Sequence, residues 1–282
     1  FYSGRALKPI SDVVNKVDDI SISSLNLRVP EGNGTDEIGR LAKTFNRMLE
    51  RLETSFAMQK NFIANASHEL RTPLTSINGQ IEVLMMQDRT TEEYKNALNS
   101  VLEDIRSLIN LSNRLLLIAR TSAEGPSGFS KKISIDEVVW QAREDMKKFN
   151  PSYHINITLD ESLTDSSQMM VAGDDNLLKV AVSNIMENAC KYSSDHTVDV
   201  RFGQNGKNVE LIFEDKGIGI PENELDKIFD PFQRGSNART VPGSGVGLSL
   251  VRQIIKNHNG EIYVKSKTGE GTTITVTLPF PA

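Results

Sequence analysis

Apolar residues recur every three or four positions through the first 120 residues of this 282-residue chain. This spacing places them along one face of a helix and is typical of coiled-coil seams. The pattern begins with two separate runs. The first consists of Leu7, Ile10, Val14 and Val17, and the second of Ile38, Leu41, Phe45, Met48 and Leu52. Between the runs, residues 25–36 contain Pro30, Gly32 and Gly34, which predicts an irregular connector. Two such short helices would form a parallel bundle only if a second chain supplied the partner surface.

The second helix is predicted to continue far beyond its first seam. Its stripe is extended by Ile63, Ala66, Leu70, Leu74, Ile77, Ile81 and Leu84. Pro73 interrupts this stripe, and because proline has no amide hydrogen to donate, it predicts a kink near Arg71–Thr72.

A turn and a second long helix are predicted to follow. Residues 87–90 (QDRT) form the turn, and Thr90 with Glu93 makes a capping box that starts the next helix. The apolar stripe of that helix consists of Leu98, Val101, Ile105, Leu108, Leu115 and Ile118. One helical hairpin cannot cover both of its stripes, so we expect two chains to dimerise into a four-helix bundle.

After residue 122 the pattern changes from helical to mixed. Residues 122–132 (SAEGPSGFSKK) are mostly small and polar, which predicts a linker. Strands are predicted at 155–159, 198–202, 209–213, 261–264 and 273–278, and helices at 136–149, 176–192 and 246–257. This mixture predicts an α/β sandwich.

Composition narrows the class of protein. The net charge of -5 argues against a duplex nucleic-acid partner, which usually needs a basic face. The single cysteine, Cys190, excludes an intramolecular disulfide and fits a reducing compartment. No apolar run of about 18 residues is present, so no membrane span is expected within the sequence. The chain opens with Phe1-Tyr2 and lacks an initiator methionine, so we expect a fragment of a longer protein.

His68 is the first candidate for chemistry. Ala66, Leu70 and Leu74 belong to the apolar stripe, so His68 is predicted to face outward. Its neutral imidazole could attack a phosphorus atom and form a phosphoramidate, and Glu69 could accept the ring proton. A lone histidine on a helix is more often simply solvated, and this alternative stays open on the residue alone.

A predicted helix in the second half carries an unusual polar face. Asn184, Asn188 and Lys191 follow one another at i, i+4 and i+7, so they share one side of the helix. Two amides and an ammonium suit phosphates and a hydrated Mg²⁺, which prefers oxygen ligands. Taken alone, such a segment is more often a solvated helix face.

Two glycine-containing segments follow. Asp215 ends a predicted strand beside Gly217 and Gly219, where a carboxylate can accept a hydrogen bond from an exocyclic amine. Residues 243–250 (GSGVGLSL) lead into a helix, whose first N–H groups form an anion site. The glycine spacing fits neither a Rossmann fingerprint nor a Walker A loop. Each segment alone could be an ordinary turn.

Together these segments resemble sensor histidine kinases of two-component systems. FIANASHELRTPLTSI resembles their H box, NIMENACKYS the N box, DKGIGIP the first glycine box, IFDPFQR the F box and GSGVGLSL the second glycine box. The boxes occur in the family's order, and GEGTTITVTLP closes the domain as in that family. The resemblance implies a GHKL-type (Bergerat) ATP-binding fold, a mixed sheet covered on one face by helices.

The resemblance also implies a phosphoryl relay. His68 would be the phosphoacceptor, Glu69 would assist transfer, and Thr72 would position a water during dephosphorylation of the partner. That partner would be the receiver domain of a response regulator, and the kinase would act as a homodimer.

Roles in ATP binding are implied in the same way. Asn188 would hold Mg²⁺, Asp215 would contact the adenine amine, and Tyr192 would lie against the base. Further ATP contacts are expected from Asn184, Lys191, Gly217, Gly219, Gly243, Gly245, Gly247, Leu248 and Thr273. Residues 234–243 would form a mobile lid.

The first residues resemble a HAMP relay domain, through LKPI at 7–10 and DEIG at 36–39. We therefore expect a HAMP-like relay at 1–56, a phosphotransfer hairpin at 57–122, a linker at 123–132 and an ATP-binding domain at 133–282. In the family, HAMP follows a transmembrane helix, so we hypothesise a membrane span upstream of Phe1, with this fragment on the cytoplasmic side. A generic coiled-coil spacer is the alternative.

Other readings of the sequence stay open. The chain could be a GHKL ATPase in which ATP drives a clamp, or a non-catalytic signalling scaffold. Phe229 and Phe232 could be ordinary core aromatics. His154, His196 and His258 lack companions at metal-ligand spacing and are expected to be structural or exposed.

Overall fold

A computed structural model describes residues 14, 16, 18, 20–21, 24–31, 36–124, 129, 131–160, 166–238, 241 and 243–281. The chain divides into two units, Phe1–His68 and Glu69–Ala282. Helix α1 is Glu37–Met85 and helix α2 is Thr91–Glu124. No helix that the structure describes has the length and apolarity needed to cross a membrane.

In the first unit, an irregular segment packs beside the start of α1. The carboxamide of Asn46 accepts from the backbone N–H of Val29 at 2.8 Å and donates to its carbonyl at 2.9 Å. Val29, Ala42 and Leu49 are buried. The predicted connector is confirmed where it is described, whereas most of the predicted first helix, 7–17, lies outside the described residues.

The turn between α1 and α2 has the predicted geometry. The backbone N–H of Thr90 donates to Glu93 Oε2 at 2.8 Å, and the N–H of Glu93 donates to Thr90 Oγ1 at 3.3 Å. This reciprocal pair is the capping box that the sequence predicts. Pro73 lies inside α1 and does not end it, and the kink there stays a prediction.

The remaining chain forms the predicted α/β layers. The helices are α3, Ile135–Phe149; α4, Asp175–Tyr192; and α5, Gly247–Asn257. The large sheet contains β2, His154–Leu159; β4, Thr197–Asn205; β5, Asn208–Asp215; β6, Glu261–Lys267; and β7, Gly271–Pro279. Its strand order is β2-β4-β5-β7-β6, and only the β2–β4 pair is parallel.

Alternation along the strands builds the core of this domain. The buried apolar side chains of the three central strands are Val198, Val200, Phe202, Val209, Leu211, Phe213, Ile274, Val276 and Leu278. They occupy every second position and therefore share one sheet face. Buried residues of α4 and α5, such as Ile185 and Leu250, complete this core. The predicted α/β sandwich is confirmed.

A second, two-stranded sheet was not predicted. β1, Lys132–Ser134, pairs antiparallel with β3, Met170–Ala172. Three residues per strand give too short an alternation for a periodicity argument. β1 begins at the last residue of the predicted linker.

Candidate phosphoacceptor and nucleotide site

The structure places the predicted phosphoacceptor on an accessible helix surface. His68 and Thr72 are exposed on α1, and Glu69 is half-buried. Ala66 and Leu70, on the apolar stripe, are also half-buried, whereas Leu74 is 52% exposed. The exposure of His68 agrees with its predicted outward orientation and makes its side chain accessible to a phosphoryl donor.

Helix α4 positions most of the predicted polar side chains of the nucleotide site. Asp174 caps it, because its carboxylate accepts from the N–H groups of Asn176 and Leu177 at 2.9 and 3.0 Å. One turn before the helix ends, its face opens onto a cavity. Asn188, Lys191 and Tyr192 line this cavity together.

Asp215, the last residue of β5, also lines the cavity. Its Oδ1 accepts from the backbone N–H of Gly217 at 2.9 Å, which fixes the carboxylate. Burial raises the pKa of Asp215, and the hydrogen bond from Gly217 opposes that rise. Apolar side chains line the same cavity, among them Ile185, Phe213, Ile228 and Ile274. A largely apolar cavity with one carboxylate suits an aromatic base that carries an amine.

The second glycine box forms the wall where α5 begins. Gly243, Gly245, Gly247 and Leu248 all line the cavity. Gly245 adopts φ +69, a conformation that residues with a Cβ rarely adopt. A Cβ on Gly247 would lie 2.9 Å from Asn184 Oδ1, so glycine permits the close approach of α4 and α5.

Cationic side chains gather at this end of the cavity. Lys191, Arg234 and Arg114 line it. Burial lowers the pKa of Lys191, and the charges of Arg234 and Arg114 lower it further, while Glu187 raises it. Arg234 also donates to the carbonyls of Ala238 at 2.6 Å and Val241. Several cations beside the N-terminus of a helix make an electropositive pocket suited to phosphates.

Three residues predicted to contact ATP do not line the cavity: Asn184, Gly217 and Thr273. Asn184 is buried beneath Gly247, and its amide donates to the carbonyl of Val180 at 2.8 Å. Gly217 instead holds Asp215 and bridges to Ser193. Thr273 lies on the opposite face of β7, because its neighbours Thr272 and Ile274 are the residues that reach the cavity. The other predicted ATP-contact residues line it.

Several cavity residues were missed by the sequence analysis. Arg114 belongs to the hairpin helix α2. Thr272 lines the cavity, whereas the prediction named its neighbour Thr273. Arg234 was assigned only to the predicted lid, of which residues 239, 240 and 242 lie outside the described residues. Glu187, in the N-box helix, was also missed. Its partner is Arg114, which lies 73 positions away in the sequence. No local pattern signals such a pair.

The remaining candidates have structural roles. Cys190 is buried, which raises its pKa to about 12, as expected for a small apolar core residue. Phe229 and Phe232 are half-buried, and the guanidinium of Arg252 lies 5.4 Å from the Phe229 ring centroid. His154 and His196 are exposed, and His258 is buried with its Nδ1 2.8 Å from the Ile254 carbonyl.

Family models match three consecutive parts of the chain and leave residues 125–172 outside. The HAMP domain matches residues 1–54, and the His Kinase A (phospho-acceptor) domain matches residues 58–124. The histidine kinase-, DNA gyrase B- and HSP90-like ATPase matches residues 173–282. His68 falls in the second part, and the cavity residues Lys191 and Asp215 fall in the third.

A curated relative matches nearly the full length of this chain. The signal transduction histidine-protein kinase ArlS of Staphylococcus aureus (strain USA300) is 29% identical over 279 residues, which is 98% of this chain and 61% of ArlS. The chain thus spans less than two thirds of that relative. The three family matches and this relative together support a sensor histidine kinase.

Solved structures show the same fold. Histidine kinase AdeS of Acinetobacter baumannii matches with a TM-score of 0.60 and 21% identity, over 76% of this chain and 98% of AdeS. Histidine kinase ThkA, solved in complex with response regulator protein TrrA, matches with a TM-score of 0.62 and 20% identity, over 87% of this chain and 68% of the other.

Proposed function

We propose that this protein is an ATP-dependent histidine kinase that phosphorylates His68 and passes the phosphoryl group to an aspartate of a response regulator. One observation carries the proposal. A single, largely apolar cavity combines a fixed carboxylate, Asp215, with a cluster of cations beside a glycine-rich helix start. This is the arrangement that an adenine base and a polyphosphate chain require.

The proposed reaction has two phosphoryl transfers. A ring nitrogen of His68 attacks the γ-phosphorus of ATP, the bond from that phosphorus to the bridging oxygen breaks, and ADP leaves. Glu69 accepts the proton from the imidazole. The nitrogen–phosphorus bond then breaks as a carboxylate oxygen of the regulator attacks the phosphorus. Positioning and charge neutralisation supply most of the catalysis in such transfers.

Mg²⁺ is the metal that this chemistry calls for, and Asn188 is the residue proposed to hold it. Its amide oxygen is a hard ligand on the cavity wall. Among the described residues, no group of three or more His, Cys, Asp or Glu side chains could hold a metal alone. A single protein ligand fits an ion that arrives with ATP, since Mg²⁺ keeps several waters and takes phosphate oxygens.

Other parts of the proposal concern the whole protein. The exposed apolar residues of the hairpin favour a homodimer, and the solved complex of ThkA with TrrA favours a receiver domain as the partner. Thr72, one turn after His68, would position water if the kinase also acts as a phosphatase. The HAMP match favours attachment to a membrane through a segment outside this sequence, with the catalytic part in the cytoplasm. The boundaries 1–56, 57–122, 123–132 and 133–282 stay predictions.

The test uses ATP labelled at the γ-phosphate. We expect protein-bound label that is stable in base and labile in acid, the behaviour of a phosphoramidate, and we expect His68→Gln to abolish it. His154→Gln is the matched control, because His154 is also exposed but lies outside the site. Label that persists in His68→Gln would defeat the proposal. ATP consumption without protein label would favour a clamp ATPase, and neither label nor consumption would favour a scaffold.

A further inference from the structure

Arg114 is the one residue of the hairpin helices that lines the nucleotide cavity in the described structure. Its Nη2 lies 3.0 Å from Oε2 of Glu187, which belongs to α4 of the ATP-binding domain. Both side chains keep about a third of their surface exposed, at 34% and 38%. Ion pairs between side chains this exposed contribute little to the stability of the fold. A role in ligand binding is therefore considered for this pair.

Helix α2, which carries Arg114, is anchored to the ATP-binding domain through α5. The carbonyl of Thr121 on α2 accepts from Asn257 Nδ2 at 2.7 Å and from Gln253 Nε2 at 3.2 Å, both on α5. Thr121 and Asn257 are almost fully buried, at 1% and 2% exposure. Arg114 precedes Thr121 by two helical turns, so the buried anchor sets how far its guanidinium reaches.

The surroundings of Arg114 suit an anion better than a carboxylate alone. Glu187 precedes the proposed Mg²⁺ ligand Asn188, and Lys191 follows it by one turn on the same helix. The positive charge of Arg114 contributes to the lowered pKa of Lys191. Two cations that repel each other across a cavity wall are stabilised by a polyphosphate between them. Guanidinium also binds phosphate through two parallel hydrogen bonds, which a lysine cannot form.

We propose that Arg114 is a nucleotide-binding residue contributed by the hairpin: its guanidinium pairs with Glu187 before ATP binds and with phosphate oxygens afterwards. This inference rests on the proposed function, because it assumes that the cavity takes ATP. Exchange of one anion for the other couples nucleotide binding to the contact between α2 and α4. Coupling of this kind is reciprocal: ATP binding releases the Arg114–Glu187 contact, and that contact in turn opposes ATP binding.

Calorimetric titration of the chain carrying His68→Gln tests this proposal, because that change prevents transfer to the histidine. The ligands are ATP with Mg²⁺ and adenosine, which lacks phosphates. We expect Arg114→Ala to weaken ATP binding about tenfold, the loss of one charge-assisted interaction, and to change adenosine binding less than about twofold. Arg114→Lys keeps the charge but not the planar fork of the guanidinium. Its affinity for ATP should lie between that of the parent chain and that of Arg114→Ala.

Glu187→Gln examines the exchange itself. This change removes the competing anion, so ATP should bind more tightly, by about threefold, but only where Arg114 is present. Arg106→Ala is the matched control, because Arg106 is exposed on the same helix and does not line the cavity. It should leave both affinities unchanged.

Unchanged ATP affinity in Arg114→Ala would overturn the inference, and so would an equal loss for ATP and adenosine. If that result appears in a chain that still phosphorylates His68 when the histidine is intact, the inference fails and the proposed function stands. If the parent chain binds no ATP, both fail.

Discussion

The hairpin helices and the ATP-binding domain differ most in where their apolar side chains lie. On α2, Leu98 and Leu116 are 59% and 66% exposed. In the sheet, Phe202 and Phe213 are both 1% exposed. The α/β domain therefore covers its own core, whereas the hairpin leaves apolar surface that a second chain could cover. Stability and self-association can therefore be perturbed separately in this protein.

The largest expected effect is on the core of the ATP-binding domain. Phe213→Ala should lower its free energy of unfolding by about 3–5 kcal/mol, because a buried aromatic leaves a cavity. Chemical denaturation followed by circular dichroism measures this. Phe149→Ala is the control, since Phe149 is 83% exposed, and should change little. Equal losses in the two variants would break the contrast between core and surface.

The next effect concerns self-association of the hairpin. Leu98→Glu should weaken dimerisation by roughly 3 kcal/mol, because each copy loses the burial of a leucine and gains a charge at the contact. Sedimentation equilibrium measures the change. Lys95→Glu, at an exposed polar position one turn earlier, should have a much smaller effect. A dimer that tolerates Leu98→Glu would place the contact elsewhere.

Asp215 comes third, because it acts on the ligand. Asp215→Asn should weaken adenosine binding by about 1.5–3 kcal/mol, the range for a hydrogen bond to a charged group. Calorimetry measures this, with the exposed Asp226→Asn as control. If both variants bind adenosine like the parent chain, Asp215 does not contact the base.

The same carboxyl predicts a pH dependence. Burial raises the pKa of Asp215, so as the pH falls its carboxylate is protonated earlier than that of an ordinary aspartate. Adenosine affinity should therefore decline at a higher pH than an exposed carboxyl would give. Asp215→Asn should remove this part of the profile, and an identical profile in that variant would assign the decline to another group.

The smallest expected effect is at the start of α4. Asp174→Ala should cost about 1 kcal/mol of stability, because two backbone N–H groups lose their acceptor. Thermal unfolding measures it. Asp174→Asn keeps a side-chain oxygen in place and should restore most of the loss. If asparagine is as destabilising as alanine, the charge of Asp174 matters more than its hydrogen bonds.

The sequence predicted the elements well where periodicity is long. The capping box of Thr90 and Glu93, the three helices of the ATP-binding domain and its five long strands are confirmed. β1 and β3 escaped because three residues carry too little alternation. Within the cavity, local motifs located Asn188, Lys191 and Asp215.

The misses share a physical cause. Arg114 reaches the cavity through tertiary packing of α2, which no local pattern encodes. The prediction named Thr273, whereas Thr272 lines the cavity. In a strand, an error of one residue places the side chain on the opposite face. Asn184 is polar, as a ligand-binding residue would be. It is nevertheless buried and packs against Gly247 where α4 and α5 approach each other.

We propose that His68 itself carries the phosphoryl group. The chain is incubated with ATP and Mg²⁺, digested at alkaline pH and analysed by tandem mass spectrometry. We predict fragment ions that place one phosphoryl group on the imidazole of His68. A phosphoryl group located on any other residue, or none at all while ATP is consumed, would contradict the proposed role of His68.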